Sequence, residues 1–262
     1  MEYKKALSIY NLTKTYGEKT ILNAINLDVY QGQIIGYIGP NGAGKSTTVK
    51  IMLGLIEEYQ GKIEIFGEKL DLGDPSYKQR IGYVPENAEI YDNLTAYEYL
   101  SFIGSLYGMS EDAVQLKAQQ LMELFNLRHG MHNRISSFSK GMKQKVLIIA
   151  SLIHNPDLLF LDEPLSGLDA NSMIIVKEIL DQLAKQGKTI FYSSHIMDVV
   201  EKISNRIILL NNGEIVADGS IEELRQQNSE GSLEQIFNQL TGFDQHEQIA
   251  ESFVSIVLNG DR

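Results

Sequence analysis

The sequence predicts an α/β fold with a mainly parallel sheet, and three observations predict it. The apolar run Ile34-Ile35-Gly36-Tyr37-Ile38 leads into Gly39-Pro40-Asn41-Gly42-Ala43-Gly44-Lys45-Ser46-Thr47, and a helical pattern follows from Thr48 to Leu55 with Val49, Met52 and Leu53 on one face. Apolar runs over residues 157–162, 189–193 and 206–210 read as buried parallel strands, and a helix from about Met173 to Lys185 separates the first two as a βαβ unit requires. Between these halves, residues 93–155 are mostly helical in pattern and read as an insertion.

Composition narrows the possibilities. A chain of 262 residues with 43% hydrophobic and 22% charged residues suffices for one large α/β domain, or one domain with a small subdomain. With no cysteine there is no disulfide framework, thiolate metal site or thiol nucleophile, and a reducing cytoplasmic setting is compatible. The net charge of −11 argues against a strong electrostatic grip on nucleic acid. The best apolar stretch, residues 146–153, is broken by Ser151, flanked by Lys145 and His154, and far shorter than the ~20 residues of a membrane span. Residues 1–8 show no long apolar region or cleavage site, so the chain is expected to be soluble by itself and held at any membrane by another protein.

The glycine-rich stretch fits G-x-x-x-x-G-K-S, a phosphate-binding loop, in the strand–loop–helix setting that its mechanism requires. Gly39, Gly42 and Gly44 let the backbone curl close to an anion. Inward N–H groups then form a partly positive nest, reinforced by the helix N-terminus. Lys45 is placed for the β- and γ-phosphates and Ser46 for Mg²⁺.

Along the chain, residues 7–10 begin the fold as a strand and residues 11–17 are expected to turn it, with Tyr16 in the turn. Tyr16 is either an adenine platform or an ordinary half-buried tyrosine. Residues 21–30 alternate as a strand, Gln31-Gly32 turns, residues 61–67 form a strand ending in a turn, residues 71–76 a polar loop, and residues 81–84 a strand stopped by Pro85. In the insertion, Thr95 and Glu98 form a capping box ahead of Tyr99, Leu100, Ile103 and Leu106 on one face. A second helix starts at Ser110, with Val114, Leu121, Leu124 and Phe125 inward. Asn211-Asn212-Gly213 makes a hairpin into residues 214–217, Ser220 and Glu223 form another capping box, and beyond Gln226 lies an acidic tail whose better helix is 232–240.

Three other clusters carry chemistry. Leu158-Leu159-Phe160-Leu161-Asp162-Glu163 is a buried strand ending in two carboxylates, expected beside the phosphate-loop strand. Asp162 would face Mg²⁺ and Glu163 would polarise the attacking water. His195, after the strand 190–193, is placed to hydrogen-bond a γ-phosphate. Ser139 and Gly141 open a helix that is apolar nearly all round, through Val146, Leu147, Ile148, Ile149, Leu152 and Ile153. That helix end is either a plain N-cap or a second anion site needing another ligand, such as a nucleotide on another subunit.

Together these residues resemble the ATP-binding subunit of ABC transporters over about residues 5–225. Residues 39–47 resemble its Walker A, residues 158–163 its Walker B, Phe138-Ser139-Lys140-Gly141-Met142 its LSGGQ signature, Ser166-Gly167-Leu168-Asp169 its D-loop, His195 its switch histidine and Tyr16 its aromatic adenine contact. The resemblance implies a P-loop NTPase core, an N-terminal antiparallel β-subdomain and a helical subdomain at about 87–156, within a domain 1–225 followed by the tail 226–262. Two departures stand out. The signature has Phe138, Lys140 and Met142 in place of Leu, Gly and Gln, and Glu86 occupies the Q-loop glutamine position, still offering an oxygen to Mg²⁺. Such variants resemble the single-domain, ABC-2-like exporter branch. The implied activity is Mg²⁺-dependent ATP hydrolysis in a head-to-tail homodimer, with ATP between Walker A of one chain and Ser139 and Gly141 of the other. A separate membrane permease is the implied partner, with the chain peripheral on the inner face of the cell membrane and no nucleic acid partner. The alternative is a soluble ATPase of the same type acting on ribosomes or DNA.

Overall fold

Strand β3 (Ile34–Ile38) is buried at every position, because it lies inside a sheet covered on both faces. The computed structural model describes residues 4–87, 90–228, 231–242 and 246–259. In it β3 is joined in one sheet by β6 (Ile81–Val84), β7 (Leu158–Asp162), β8 (Thr189–Ser193), β9 (Arg206–Asn211) and β10 (Glu214–Gly219), in the order β10-β9-β3-β8-β7-β6. All pairings are parallel except β9 with β10. Alternate residues feed two cores. Ile34, Ile38, Leu159, Leu161, Ile190 and Tyr192 face one, whereas Ile35, Tyr37, Leu158, Phe160 and Phe191 face the other.

The second core is closed by a separate antiparallel sheet of β1 (Lys5–Tyr16), β2 (Lys19–Tyr30), β4 (Gln60–Ile65) and β5 (Glu68–Lys69), together with α1 (Lys45–Met52). The expected turn at residues 11–17 does not form: β1 runs on to Tyr16. Asn11 adopts φ 49° within a register irregularity, and Asn11 and Asn26 satisfy each other through paired hydrogen bonds of 2.9 and 3.0 Å. Asparagine tolerates this left-handed backbone, and the resulting bulge bends the strand without ending it.

The first core is covered by α4 (Lys140–Leu152), α5 (Ala170–Lys185), α6 (Met197–Ile203) and the insertion helices α2 (Ala96–Leu106) and α3 (Glu111–Leu124). The Thr95 capping box is present, and Ser110 caps α3. Tyr99, Leu100, Val114 and Phe125 are buried as expected, but Leu106 and Leu124 are exposed. Leu106 is the last residue of α2, while Leu124 borders an open apolar groove with Leu121 and Leu152. The 71–76 stretch is partly ordered, since Asp74 caps a 3₁₀ turn over Pro75–Arg80.

Beyond the sheet, α7 (Ile221–Gln227), opened by the Ser220–Glu223 capping box, leads to α8 (Leu233–Thr241) and α9 (His246–Asn259). Leu233 and Ile236 of α8 are buried in the first core, and the Asn211 amide donates to the Leu240 carbonyl at 3.3 Å. Truncation of a fully buried isoleucine removes its transfer energy and leaves a cavity. Ile236→Ala is therefore expected to lower stability by about 2–5 kcal/mol in urea unfolding.

Candidate functional site

Because β3, β6, β7 and β8 run parallel, their C-terminal ends meet at one edge, where open α/β sheets bind ligands. The loop after β3 begins there. Gly42 and Gly44 carry φ of +80° and +109°, which a side chain would strain. Gly39 serves differently, as its Cβ would overlap the Leu210 carbonyl oxygen. The Ala43 N–H donates to the Pro40 carbonyl at 3.2 Å, and the Gly213 N–H at the hairpin tip donates to the Ala43 carbonyl at 3.1 Å. From below, buried Tyr37 donates to Thr48 Oγ1 at 3.1 Å, and that hydroxyl donates to the Gly44 carbonyl at 3.0 Å. Burial pushes the Tyr37 phenol up to about 12, so it remains a donor.

Helix α1 starts at Lys45, three residues ahead of the expected Thr48, because Gly44 itself is the N-cap. No side chain caps it, so its first N–H groups remain directed into the loop for an anion. The helix stops at Met52, where Gly54 takes φ +64°. The Lys45 ammonium donates to the Gly39 and Pro40 carbonyls at 2.6 and 3.2 Å. Burial lowers its pKa, against the pull of Asp162, Glu163 and Glu86.

These residues line a cavity of about 660 Å³, which also takes in Tyr16, Asn41, Ser46, Thr47, Asp162, Glu163, Ser193 and His195. Tyr16 is 51% exposed at the end of β1, with the Lys14 ammonium 4.6 Å from its ring centroid. Pro40 acts within the loop through its carbonyl and does not line the cavity. Ser139 and Gly141 lie outside it, at the start of α4, where the Ser139 hydroxyl accepts from the Met142 N–H at 3.3 Å. Lys19, Ile21 and Ser193 complete the lining beyond the residues that the motifs mark. The signal for Ser193 was its place at the end of a buried strand; for the other two it was proximity in sequence to Tyr16.

One expectation is corrected. Strand β7 does not lie beside β3, since β8 is inserted between them and pairs with both. Asp162 still reaches the cavity, because it ends β7 opposite Ser193 at the same edge. Beside it, Glu163 has a left-handed backbone, φ 48°. Its Oε1 accepts from the His195 backbone N–H at 2.7 Å and lies 2.7 Å from His195 Nδ1, while Oε2 accepts from Ser194 Oγ at 3.0 Å.

Burial raises the Asp162 pKa, with Glu86 and Glu163 adding to the rise and a Ser193 hydrogen bond and Lys45 opposing it. Three carboxylates thus border one cavity together with Lys45 of the loop and Lys19. Ser46, Asp162 and Glu86 border the cavity as oxygen donors of the kind Mg²⁺ takes when few protein ligands share it with phosphate oxygens, and among the described residues no three acidic or histidine side chains are grouped to hold a metal by themselves.

The fold and cavity define a nucleotide-binding ATPase of the phosphate-loop type. The sequence profile of the ABC transporter family matches residues 22–166. The ATP-binding protein NatA of Bacillus subtilis is 37% identical over 81% of this chain and 87% of its own length. The bacitracin transport ATP-binding protein BcrA of Enterococcus faecalis is 37% identical over 87% of this chain and 73% of its own. A solved ATP-binding subunit of an ABC transporter superposes with TM-score 0.85 at 33% identity, covering 90% of this chain and 99% of that one. A dimeric ATP-binding cassette in a post-hydrolysis state, bound to ADP and Pi, superposes with TM-score 0.75 at 27% identity, covering 82% and 98%. The chain belongs to the ABC transporter family as an ATP-binding subunit, and it is an ATPase. Among the described residues no helix is long and apolar enough to cross a membrane.

The raised Asp162 pKa has a sign that can be checked. Above its folded pKa the buried carboxylate is charged at a cost to stability; below its ordinary value of 3.8 it is neutral in both folded and unfolded chains. Asp162→Asn is therefore expected to raise the urea midpoint at pH 7. That gain should shrink as pH falls through the raised pKa toward 3.8.

Proposed function

We propose that this subunit drives export through a separate membrane permease, working as a head-to-tail dimer that ATP closes and hydrolysis reopens. The observation that carries the reading is the separation of Ser139 and Gly141 from a cavity that already holds a loop lysine, a hydroxyl and three carboxylates. A helix N-terminus of that kind is completed by a phosphate bound to a second copy, and two-fold symmetry then produces two equivalent sites. The dimeric relative with ADP and Pi supports this arrangement.

Each residue then has a task. The N–H groups of residues 39–47 and the Lys45 ammonium hold the β- and γ-phosphates, while Tyr16 stacks on the adenine. Ser46, Asp162 and Glu86 hold Mg²⁺ directly or through water. When bound, this ion neutralises phosphate charge. Glu163 accepts the proton of the attacking water as the oxygen–γ-phosphorus bond forms and the bond to the β-phosphate oxygen breaks. His195 orients Glu163 through the 2.7 Å contact and donates to the γ-phosphate. Loss of the γ-phosphate removes the bridge to the partner's helix, and the dimer opens.

The exposed apolar cluster of Tyr91, Phe102 and Leu106 on the insertion supports a permease contact along residues 86–107. The bacitracin transport relative supports export. The net charge of −11 disfavours the alternative of action on ribosomes or DNA.

Glu163→Gln is expected to bind ATP, to lose hydrolysis by about 10²–10⁴-fold as general-base loss does, and to elute as an ATP-dependent dimer. Unchanged turnover would remove Glu163 from the mechanism, and a monomer at saturating ATP would remove the dimer.

A further inference from the structure

A buried lysine stands behind the tyrosine of the cavity. Lys14 lies two positions before Tyr16 on β1 and is only 5% exposed, although it carries a charge. The start of β4 and the residues before it approach it there. Gln60 pairs with Thr13, and the Lys14 ammonium donates to the Glu58 carbonyl at 2.5 Å. One neutral carbonyl does not compensate an ammonium taken out of water. The other partner of Lys14 among the described residues is the Tyr16 ring, whose centroid lies 4.6 Å from Nζ.

The two faces of that ring have different neighbours. Tyr16 lines the nucleotide cavity, whereas Lys14 does not. The ammonium therefore meets the ring from the side away from the cavity and leaves the open face for a base. An aromatic face is negative, so it attracts a cation and resists the equally negative face of a second ring stacked squarely on it. A cation behind the ring draws electron density away from the open face. That face then accepts an electron-rich purine more readily, and a pyrimidine, with a smaller and less polarisable surface, gains less.

We propose that Lys14 is a positioning and specificity-determining residue, which holds the Tyr16 ring from behind and tunes its open face toward purine nucleotides. This inference rests on the proposed stacking of adenine on Tyr16 and deepens it, since the stack becomes ammonium, phenol ring and base. A lysine that only anchored residues 58–60 to β1 would need its bond to Glu58 and nothing from the ring.

The test uses the full chain and steady-state hydrolysis. Lys14→Met keeps the stem and removes the charge, a replacement that a buried site usually tolerates. Lys14→Gln removes the charge but keeps a donor for the Glu58 carbonyl, and Lys14→Arg keeps a cation. KM for ATP is expected to rise about three- to tenfold in Lys14→Met and Lys14→Gln, and to stay within about twofold in Lys14→Arg. Stacking of the base is the same before and at the transition state, so kcat is expected to move by less than about twofold. The preference for ATP over CTP, as a ratio of kcat/KM, is expected to fall about two- to fivefold. The inhibition constant of inorganic tripolyphosphate, which has no base, is expected to stay unchanged. In a Tyr16→Leu background, Lys14→Met is expected to add nothing. An unmoved KM in Lys14→Met and Lys14→Gln, a loss that persists beside Tyr16→Leu, or an equal weakening of tripolyphosphate would overturn the proposal. Recovery in Lys14→Gln would reduce Lys14 to an anchor, and equal losses for ATP and CTP would remove its part in specificity. Should Lys14→Met not fold, Lys14→Gln decides the matter. Failure of the stacking reading is separately visible, as a KM for ATP that Tyr16→Leu alone leaves unchanged.

Discussion

Everything at the cavity depends on the parallel register that ends β3, β6, β7 and β8 at one edge. Asp162 stands opposite Ser193 and Val84 is paired with Leu161, so the residues that follow each strand emerge side by side. The burial of both sheet faces holds that register, because a one-residue slip would exchange the two sets of side chains between cores of different shape. The phosphate loop, Glu86, Glu163 and His195 come from distant parts of the sequence, and this edge gathers them without contacts between their own segments having to specify it.

The loop is a fixed object of its own. Tyr37 and Thr48 brace it from beneath, the hairpin tip at Gly213 braces it from one side, and Gly39 fits against Leu210 only because it has no side chain. Bracing from several directions suits a nest of N–H groups, since donors already aimed at an anion need little reorganisation when one arrives. The carboxylates of the same cavity carry the other charge within electrostatic reach of Lys45, and burial, with Glu86 and Glu163 adding to it, raises the Asp162 pKa.

Much of this could be read from the residues alone, for physical reasons. Motifs with a required geometry, such as residues 39–47 or the capping boxes at Thr95 and Ser220, were located closely, because local chemistry dictates them. Long apolar runs revealed the sheet strands. Lateral order is not legible there: nothing in the run 158–162 says that β8 lies between it and β3. The stretch 11–17 is ambiguous in sequence because asparagine marks both turns and bulges, and the choice rests on Asn26 of the next strand. Leu106 and Leu124 keep helical phase but are exposed among the described residues, which periodicity does not encode.

The left-handed backbone at Glu163 has a consequence for how this protein can change. Non-glycine residues there are held at a cost of order 1–3 kcal/mol, a penalty that glycine escapes. Glycine would relieve that strain but give up the carboxylate's bonds to Ser194 and His195, so the side chain's own contacts are what hold the backbone in this shape. A glycine variant would still cradle its nucleotide and lose the proposed base.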